Sequence, residues 1–492
     1  MPGRFPVAGV TNNFGATERT PRAWQSSPEK QGPAEPAIKR PALKVISASA
    51  IAFAWVISLS SLPVHAQLNS DIQQNSDTQQ NSGTQRTIDA HLNIDIEQPP
   101  IEYSETEDNN AVSRLIQAIK SGETKLEYDD ATGYLPALLE ALDIPISSQV
   151  LVFSKTSMQV RYISRRNPRA IYFNDDTYVG WVRGSSLMEI STSDPRLGAA
   201  FYTVDMKPWR PDIERAYYDC LSCHTTSMTQ GVPGHTVRSV LPHLDGSVNS
   251  QLQSYITDHS SPFSERWGGW YVTGRHGEMK HMGNAFLRSG QLDTRDNGNK
   301  LSLRDEFDTF DWLSPYSDIV ALMVLEHQTQ MHNAFTRASF TDRKLLFDLH
   351  QNGPSEESKK ELDLLLAQVA REVVKYLLFC DETQLTSEVK GSILFANQFT
   401  KRGPTDTRGR SLREFDLQQR LFRYPCSYLI YSSAFDGLEP ELRKAIYNDL
   451  RNVLNGESRD PAFDHLSAED RQAILEILRE TKSDFPDSWD AS

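Results

Sequence analysis

Residues 167–182 read NPRAIYFNDDTYVGWV, and this stretch decides how the first half of the chain folds. Two apolar runs with strand character, 170–173 and 178–182, lie on either side of Asn174-Asp175-Asp176. Asn and Asp side chains hydrogen-bond their own backbone and so favour turns, and the stretch therefore predicts a β-hairpin. Further runs of strand character predict that the hairpin belongs to a larger sheet: 149–154, 158–163, 187–190 and 199–204.

Helical periodicity appears just before this predicted sheet. Val112, Leu115, Ile116 and Ile119 recur three or four positions apart, and the leucines of 135–142 do so again. Such spacing places apolar side chains on one face of a helix. The helices and strands together predict an α+β domain at residues 106–208.

The rest of the chain changes in character twice. Residues 209–315 are rich in Gly, His, Trp and Pro with few periodic segments, which indicates loops wrapped around something other than their own core. Residues 316–492 form a predicted helical domain, in which Ser467 and Asp470 are close to a capping box. Its predicted helices are 317–338, 341–350, 355–380, 437–453 and 467–480. The predicted fold class is α+β, with a mixed N-terminal α/β domain, a loop-rich middle segment and a mainly α-helical C-terminal region.

An apolar stretch at 45–62 follows a basic cluster and ends in Pro-Val-His-Ala at 63–66. A basic region, a short apolar run and a small-residue ending are typical of a cleavable secretory signal, which we assign to residues 1–66. The alternative is an uncleaved anchor, the only case in which we expect membrane contact. Residues 67–105 contain three six-residue Asn-Ser repeats at 69–86, which predict a disordered tether.

The net charge of the chain restricts the kinds of partner that it can bind. The 51 basic and 65 acidic residues leave a formal charge of −14, and without residues 1–66 the remaining 44 basic and 62 acidic residues leave −18. Such a chain repels phosphate backbones, which argues against nucleic acid as a partner. No long series of apolar spans is present, which argues against a polytopic membrane protein.

The residues that carry chemistry are Cys220, Cys223 and His224, in the sequence YDCLSCH at 218–224. Cys-x-x-Cys-His is the attachment signature of c-type haem. Two thiols three positions apart reach two vinyl groups on one porphyrin edge, and the adjacent histidine becomes the proximal iron ligand. We therefore predict one covalent haem c per chain, bound by residues 209–315. Covalent haem attachment takes place outside the cytoplasm, so the motif and the export signal both predict a periplasmic or otherwise exported protein.

The motif has two alternative uses, a redox dithiol and half of a zinc site. A redox dithiol leaves His224 without a role. A zinc site needs a second pair of ligands at matching spacing, whereas Cys380 and Cys426 are isolated in the sequence. Those two cysteines could form a disulfide or remain as buried free thiols, and the sequence does not decide between these states.

The motif resembles that of c-type cytochromes, and longer stretches are similar to a family of exported bacterial proteins described as containing a cytochrome c domain. The similar stretches cover most of the chain from about residue 110: 167–182, GVPGH at 231–235, GGWYV at 268–272, HMGN at 281–284 and RYPCSY at 423–428. This resemblance implies haem binding and electron transfer, with a redox partner protein that the sequence does not identify.

The sixth iron ligand is predicted to be Met282, with His281 and His235 as alternatives. Met282 and His281 lie in the glycine-bounded loop 277–283, and Met282 follows His224 by 58 residues, a spacing similar to that of small soluble cytochromes c. His327 and Met331 form part of a second stripe on one helix face. For these two residues we favour a core-facing helix with a hydrogen-bonded histidine over a metal site.

The predicted activity is electron transfer in the periplasm. Two alternatives depend on the sixth coordination position: a haem enzyme of the peroxidase kind with an open distal site, or a haem-based sensing or binding module. The sequence names no catalytic residue for the first and no ligand for the second.

Overall fold

The centre of the fold is a seven-stranded antiparallel sheet. The computed structural model describes residues 94–249, 252–295 and 297–486. The strands of this sheet are β1 (Val150–Val152), β2 (Arg169–Phe173), β3 (Thr177–Trp181), β4 (Leu187–Asp194), β5 (Gly198–Asp205), β6 (Asp212–Ala216) and β9 (Trp270–Tyr271). Across the sheet they lie in the order β6-β5-β4-β3-β2-β1-β9. Two small ribbons pair β7 (Arg238–Ser239) with β8 (Tyr255–Ile256), and β10 (Phe286–Arg288) with β11 (Gln291–Asp293).

The predicted hairpin is confirmed as β2 and β3. Phe173 pairs with Tyr178 and Ala170 with Trp181. The Asn174 side chain accepts hydrogen bonds from the backbone of Asp176 and of Thr177, at 3.1 and 2.9 Å. The hydrogen bonds of Asn174, which the sequence predicts, therefore fix the register of the β2–β3 hairpin.

The strand predicted at 158–163 is wrong. These residues form a turn, and the buried Gln159 separates the exposed side chains of Met158 and Val160. Gln159 Nε2 donates to Glu189 Oε2 at 2.9 Å. The period-two apolar pattern is present, but its apolar side chains point outward because the polar one is held against the sheet.

In the described residues two helices precede the sheet in sequence, one lies between β6 and β9, and six follow β9, and together with the antiparallel sheet they confirm an α+β fold. They are α1 (Ala111–Ser121), α2 (Leu135–Ala141), α3 (Tyr218–His224), α4 (Ile319–Asn352), α5 (Glu356–Leu377), α6 (Ile393–Thr400), α7 (Ser433–Asp436), α8 (Pro440–Leu454) and α9 (Ala468–Thr481). The helices predicted at 317–338 and 341–350 are one helix, α4, because no glycine or proline interrupts the chain between them. The capping box of Ser467 and Asp470 is confirmed. None of the helices in the described part of the chain is long and apolar enough to cross a bilayer.

Each face of the sheet carries its own core. One face packs Tyr172, Val179 and Trp181 against α1 and α2. The opposite face packs Phe173 and Tyr178 in a core that includes α4 and the helices after it. The alternation of side chains along each strand separates the two sets. Because β6 and β9 come from residues 209–315, the loop-rich segment is joined to the sheet by strand pairing.

The described chain starts inside the segment predicted to be a tether. Ile101 and Tyr103 are buried in a small cluster with Leu197, Val232 and Phe340. Residues 67–93, which include the repeats, and the predicted signal at 1–66 lie outside the described residues. The folded chain therefore begins before residue 106.

Asn110 joins α1 to the sheet, and its replacement tests this connection. Its side chain caps α1 by accepting from the backbone of Ser113, and its amide donates to Asp194 and Tyr202 at 3.1 and 2.9 Å. We expect Asn110→Ala to lower the free energy of unfolding by about 2–4 kcal/mol, since it removes a cap and leaves buried polar atoms unpaired. Urea unfolding followed by circular dichroism measures this.

The matched control for this prediction is Ser355→Ala. Ser355 caps α5 on the surface, with its hydroxyl accepting from the backbone of Ser358 at 3.0 Å. Its loss should cost only about 1 kcal/mol, because water replaces the lost partner. Equal costs for the two variants would show that Asn110 serves α1 alone.

Candidate functional site

The Cys-x-x-Cys-His motif forms the short helix α3, directly after edge strand β6. None of the seven side chains of α3 is buried. Cys220 is half-buried, Cys223 is exposed, and both are free thiols. The two thiols are therefore accessible to a large group arriving from solvent.

One hydrogen bond and one ring contact hold His224 in place. Its Nδ1 lies 2.9 Å from the carbonyl oxygen of Gly234, and the backbone N–H of Gly234 donates to the His224 carbonyl at 3.0 Å. Its ring centroid is 4.8 Å from that of Phe201 in β5. A proton on Nδ1 donated to a carbonyl leaves the lone pair on Nε2, the nitrogen that can ligate a metal. Among the described residues, Nε2 takes part in no hydrogen bond.

A half-buried ion pair lies beside the motif. Arg169 and Glu189 are joined at 2.7 Å on the sheet. Burial, and then the charge of Glu189, raises the pKa of the Cys220 thiol to about 11. Burial also lowers the pKa of His224. At neutral pH Cys220 is a thiol and His224 is a neutral imidazole.

These protonation states bear on the two alternative uses of the motif. A redox-active dithiol needs a cysteine whose pKa is lowered, and burial acts in the opposite direction on Cys220. A zinc site needs about four ligands. No group of three or more His, Cys, Asp or Glu side chains in residues 94–249, 252–295 and 297–486 is arranged to hold a metal ion. A haem iron needs only one or two protein ligands, because the porphyrin supplies four.

His235, an alternative sixth ligand, lies buried one residue after Gly234. The ring of Phe201 is near both histidines, with centroids 4.8 Å from His224 and 6.4 Å from His235. The backbone N–H of His235 donates to Asn333 in α4 at 2.9 Å, and its ring lies 4.5 Å from Tyr178. The structure therefore brings His235 and His224 to the same aromatic ring, with His235 on the side of the core.

Met282 and His281 lie in a different set of contacts. The Met282 sulfur accepts a hydrogen bond from Ser239 Oγ at 3.6 Å, and its side chain is 7% exposed. His281 Nε2 lies 3.2 Å from His276 Nε2, and its ring meets the edge of Trp267. No hydrogen bond or ring contact within the described ranges joins Met282 or His281 to His224. The structure thus places Met282 and His281 in contacts of their own, separate from the contacts of His224.

His327 has the structural role that we favoured from the sequence. It is fully buried, with Nε2 2.8 Å from Ser427 Oγ and Nδ1 3.0 Å from Nδ1 of His259. Met331 is buried in the same core. Sequence reasoning did not find His259, because it lies 68 positions from its partner in an aperiodic loop. The free cysteines Cys380 and Cys426 are buried too, which raises the pKa of each thiol to about 12.

Comparisons with known proteins add nothing to this geometry. No protein family model, no curated protein and no solved structure matches the chain.

The His259–His327 pair predicts a loss of stability in acid. Burial lowers the pKa of His259 to about 4, whereas a histidine in the unfolded chain titrates near 6.5. At pH values between these two, the unfolded state binds more protons than the folded state. The free energy of unfolding therefore decreases as the pH is lowered, by about 1.4 kcal/mol per pH unit for each such histidine. We expect His259→Asn to be less stable at pH 7 and to lose less stability between pH 7 and 5. Urea midpoints at both pH values test this.

The exposed His350 provides the control, since it contacts only a carbonyl of its own helix. His350→Asn should leave the acid slope of the parent unchanged. The same slope in His259→Asn and in the parent chain would contradict the assignment of this titration to the buried pair.

Proposed function

We propose that the chain is an exported c-type cytochrome that carries one covalent haem and transfers electrons. The observation that carries the proposal is the geometry of α3. Two free, accessible thiols lie three positions apart on one helix, and the next residue, His224, is fixed through Nδ1 with Nε2 available. Each feature meets one requirement of haem c attachment.

The residues present fit the group in three respects. Cys220 and Cys223 would supply the thioether bonds, and neither is consumed in a disulfide. His224 is a neutral imidazole, the form in which histidine ligates iron. The open surface of α3 leaves room for a large apolar group. A bound haem iron would supply one-electron chemistry by cycling between its ferric and ferrous states.

The chain's own residues act on the site by orienting His224. The Gly234 carbonyl sets the direction of the imidazole and, as a hydrogen-bond acceptor, increases its basicity toward a metal. Phe201 packs against one side of the ring. These contacts would hold His224 in one orientation for a haem iron in either oxidation state, which would favour fast electron exchange.

The charge of the protein indicates the chemistry of its redox partner. Without residues 1–66 the chain has a formal charge of −18. A field of this sign raises the rate of encounter with a basic surface and lowers it with an acidic one. We therefore expect the electron donor or acceptor to be a basic protein of the exported compartment.

Haem attachment is tested by cysteine replacement in the full chain, made in a bacterium that has a working c-type maturation system. We expect intact mass after denaturation to show one added haem in the parent. Cys220→Ala and Cys223→Ala should each retain at most one thioether, and the double variant should carry no covalent haem. The buried Cys380→Ala and Cys426→Ala are matched controls and should retain the full added mass. Parent protein with the mass of its polypeptide and no Soret absorption would refute the proposal.

The role of Gly234 is tested by adding one methyl group. A Cβ at this position would overlap Asn333 Oδ1 and lie 2.9 Å from Thr229 Cβ, so the carbonyl that holds His224 must move. We expect Gly234→Ala to keep its covalent haem but to shift the reduction potential and the spin state of the iron. Gly298→Ala is the control, because nothing lies within 4 Å of a Cβ there. Potentials and spectra identical to the parent would show that Gly234 does not position the ligand.

A further inference from the structure

One face of the sheet carries both α3 and a second element. Glu189 pairs with Thr203 and Ser191 pairs with Phe201, so Glu189 and Phe201 point to the same face. His224 of α3 contacts Phe201, with ring centroids 4.8 Å apart. The motif helix therefore lies over this face, which also carries Glu189.

The second element over this face is the turn 157–162. The backbone N–H of Met158 donates to Glu189 Oε1 at 3.2 Å, and Gln159 Nε2 donates to Glu189 Oε2 at 2.9 Å. Gln159 also reaches the Gly180 carbonyl at 3.4 Å. The turn is thus anchored to Glu189, on the same face of the sheet where the motif helix packs on Phe201, although the two elements are some sixty positions apart in the sequence.

The turn presents apolar side chains to solvent. Met158 is 47% exposed, Val160 40% and Tyr162 42%. Among the methionines of the described residues, Met158 is the one with an exposed side chain, and the others are buried or half-buried. A row of three exposed apolar side chains is stabilised when a ligand or partner covers it.

We propose that the turn 157–162 covers the distal side of the haem and that the Met158 sulfur is the sixth iron ligand. The inference rests on the proposed function. A thioether is a soft ligand that haem iron accepts opposite histidine. Glu189 positions the turn through two hydrogen bonds, and its charge is balanced by Arg169 at 2.7 Å, so the turn is anchored on the face of the sheet that carries the motif helix.

Met282 is the rival ligand, and its use as an iron ligand would require the loss of packing contacts. Its sulfur accepts from Ser239, its backbone N–H donates to the Arg266 carbonyl at 2.9 Å, and the glycine at 268 lies against its terminal methyl group. To ligate iron it must leave a packed core and break these contacts. Met158 is 47% exposed, so its side chain can meet a ligand from the solvent without leaving a packed core.

The experiment compares single methionine variants of the haem-loaded full chain. In the ferric parent we expect the sulfur-to-iron charge-transfer absorption of a methionine ligand and, in the ferrous parent, little binding of carbon monoxide. Met158→Leu should lose that absorption and bind carbon monoxide. Met282→Leu should keep the parent spectrum. Met158→His should restore a six-coordinate, low-spin iron with a lower reduction potential, which a merely structural role of the turn would not produce.

Several results would overturn the inference. One is a methionine signature that persists in Met158→Leu, whether or not Met282→Leu loses it. Another is a parent spectrum of two histidine ligands or of an open site. In each of these cases the covalent haem is still present, so the proposed function stands. Absence of haem from the parent overturns both. Circular dichroism of each variant checks that the exposed substitution leaves the fold intact.

Discussion

Strands β4 and β5 pair over eight residues, and this ladder holds the two faces of the structure together. Leu187 pairs with Asp205 at one end and Asp194 with Gly198 at the other. Along this ladder successive side chains point to opposite faces of the sheet. Ile190 and Tyr202 face the layer of α1 and α2, whereas Glu189 and Phe201 face the motif. One strand pair therefore supports the N-terminal core on one side and the candidate site on the other.

The candidate site lies on the sheet face of Glu189 and Phe201, at the point where the α4 core no longer covers this face. Phe173 and Tyr178 are covered by the core that contains α4. Farther along the same face, Phe201 is covered by His224, and Glu189 anchors the turn 157–162. On this face the apolar core ends at His235, whose ring contacts Tyr178. Beyond it the face carries the half-buried ion pair of Arg169 and Glu189. A haem proposed here would have the packed core behind its proximal histidine and open surface beside its thiols.

The buried polar groups near α4 have another role. Glu326 and Arg266 form a buried ion pair at 3.3 Å, and His259 and His327 lie within the same core. A charge removed from water is costly unless it is paired, and these partners come from a loop and a helix far apart in sequence. Their mutual dependence ties the aperiodic residues 257–266 to α4. His259 and His327 therefore have a structural role in this core.

Elements with local causes could be predicted from the amino-acid sequence. They are the Asn174 turn, the helical stripes of α1 and α9, the Ser467 cap and the spacing of Cys220, Cys223 and His224, each of which depends on residues a few positions apart. Which side chains face the motif could not be predicted, because it depends on how distant segments pack. The outward alternation of Met158, the burial of Met282 against Ser239, and the pairing of His259 with His327 depend on contacts between distant segments. Periodicity shows that a residue has a partner face, but only the packing of sheet, loop and helix selects the partner, because burial free energy is gained from whichever surface the whole chain brings near.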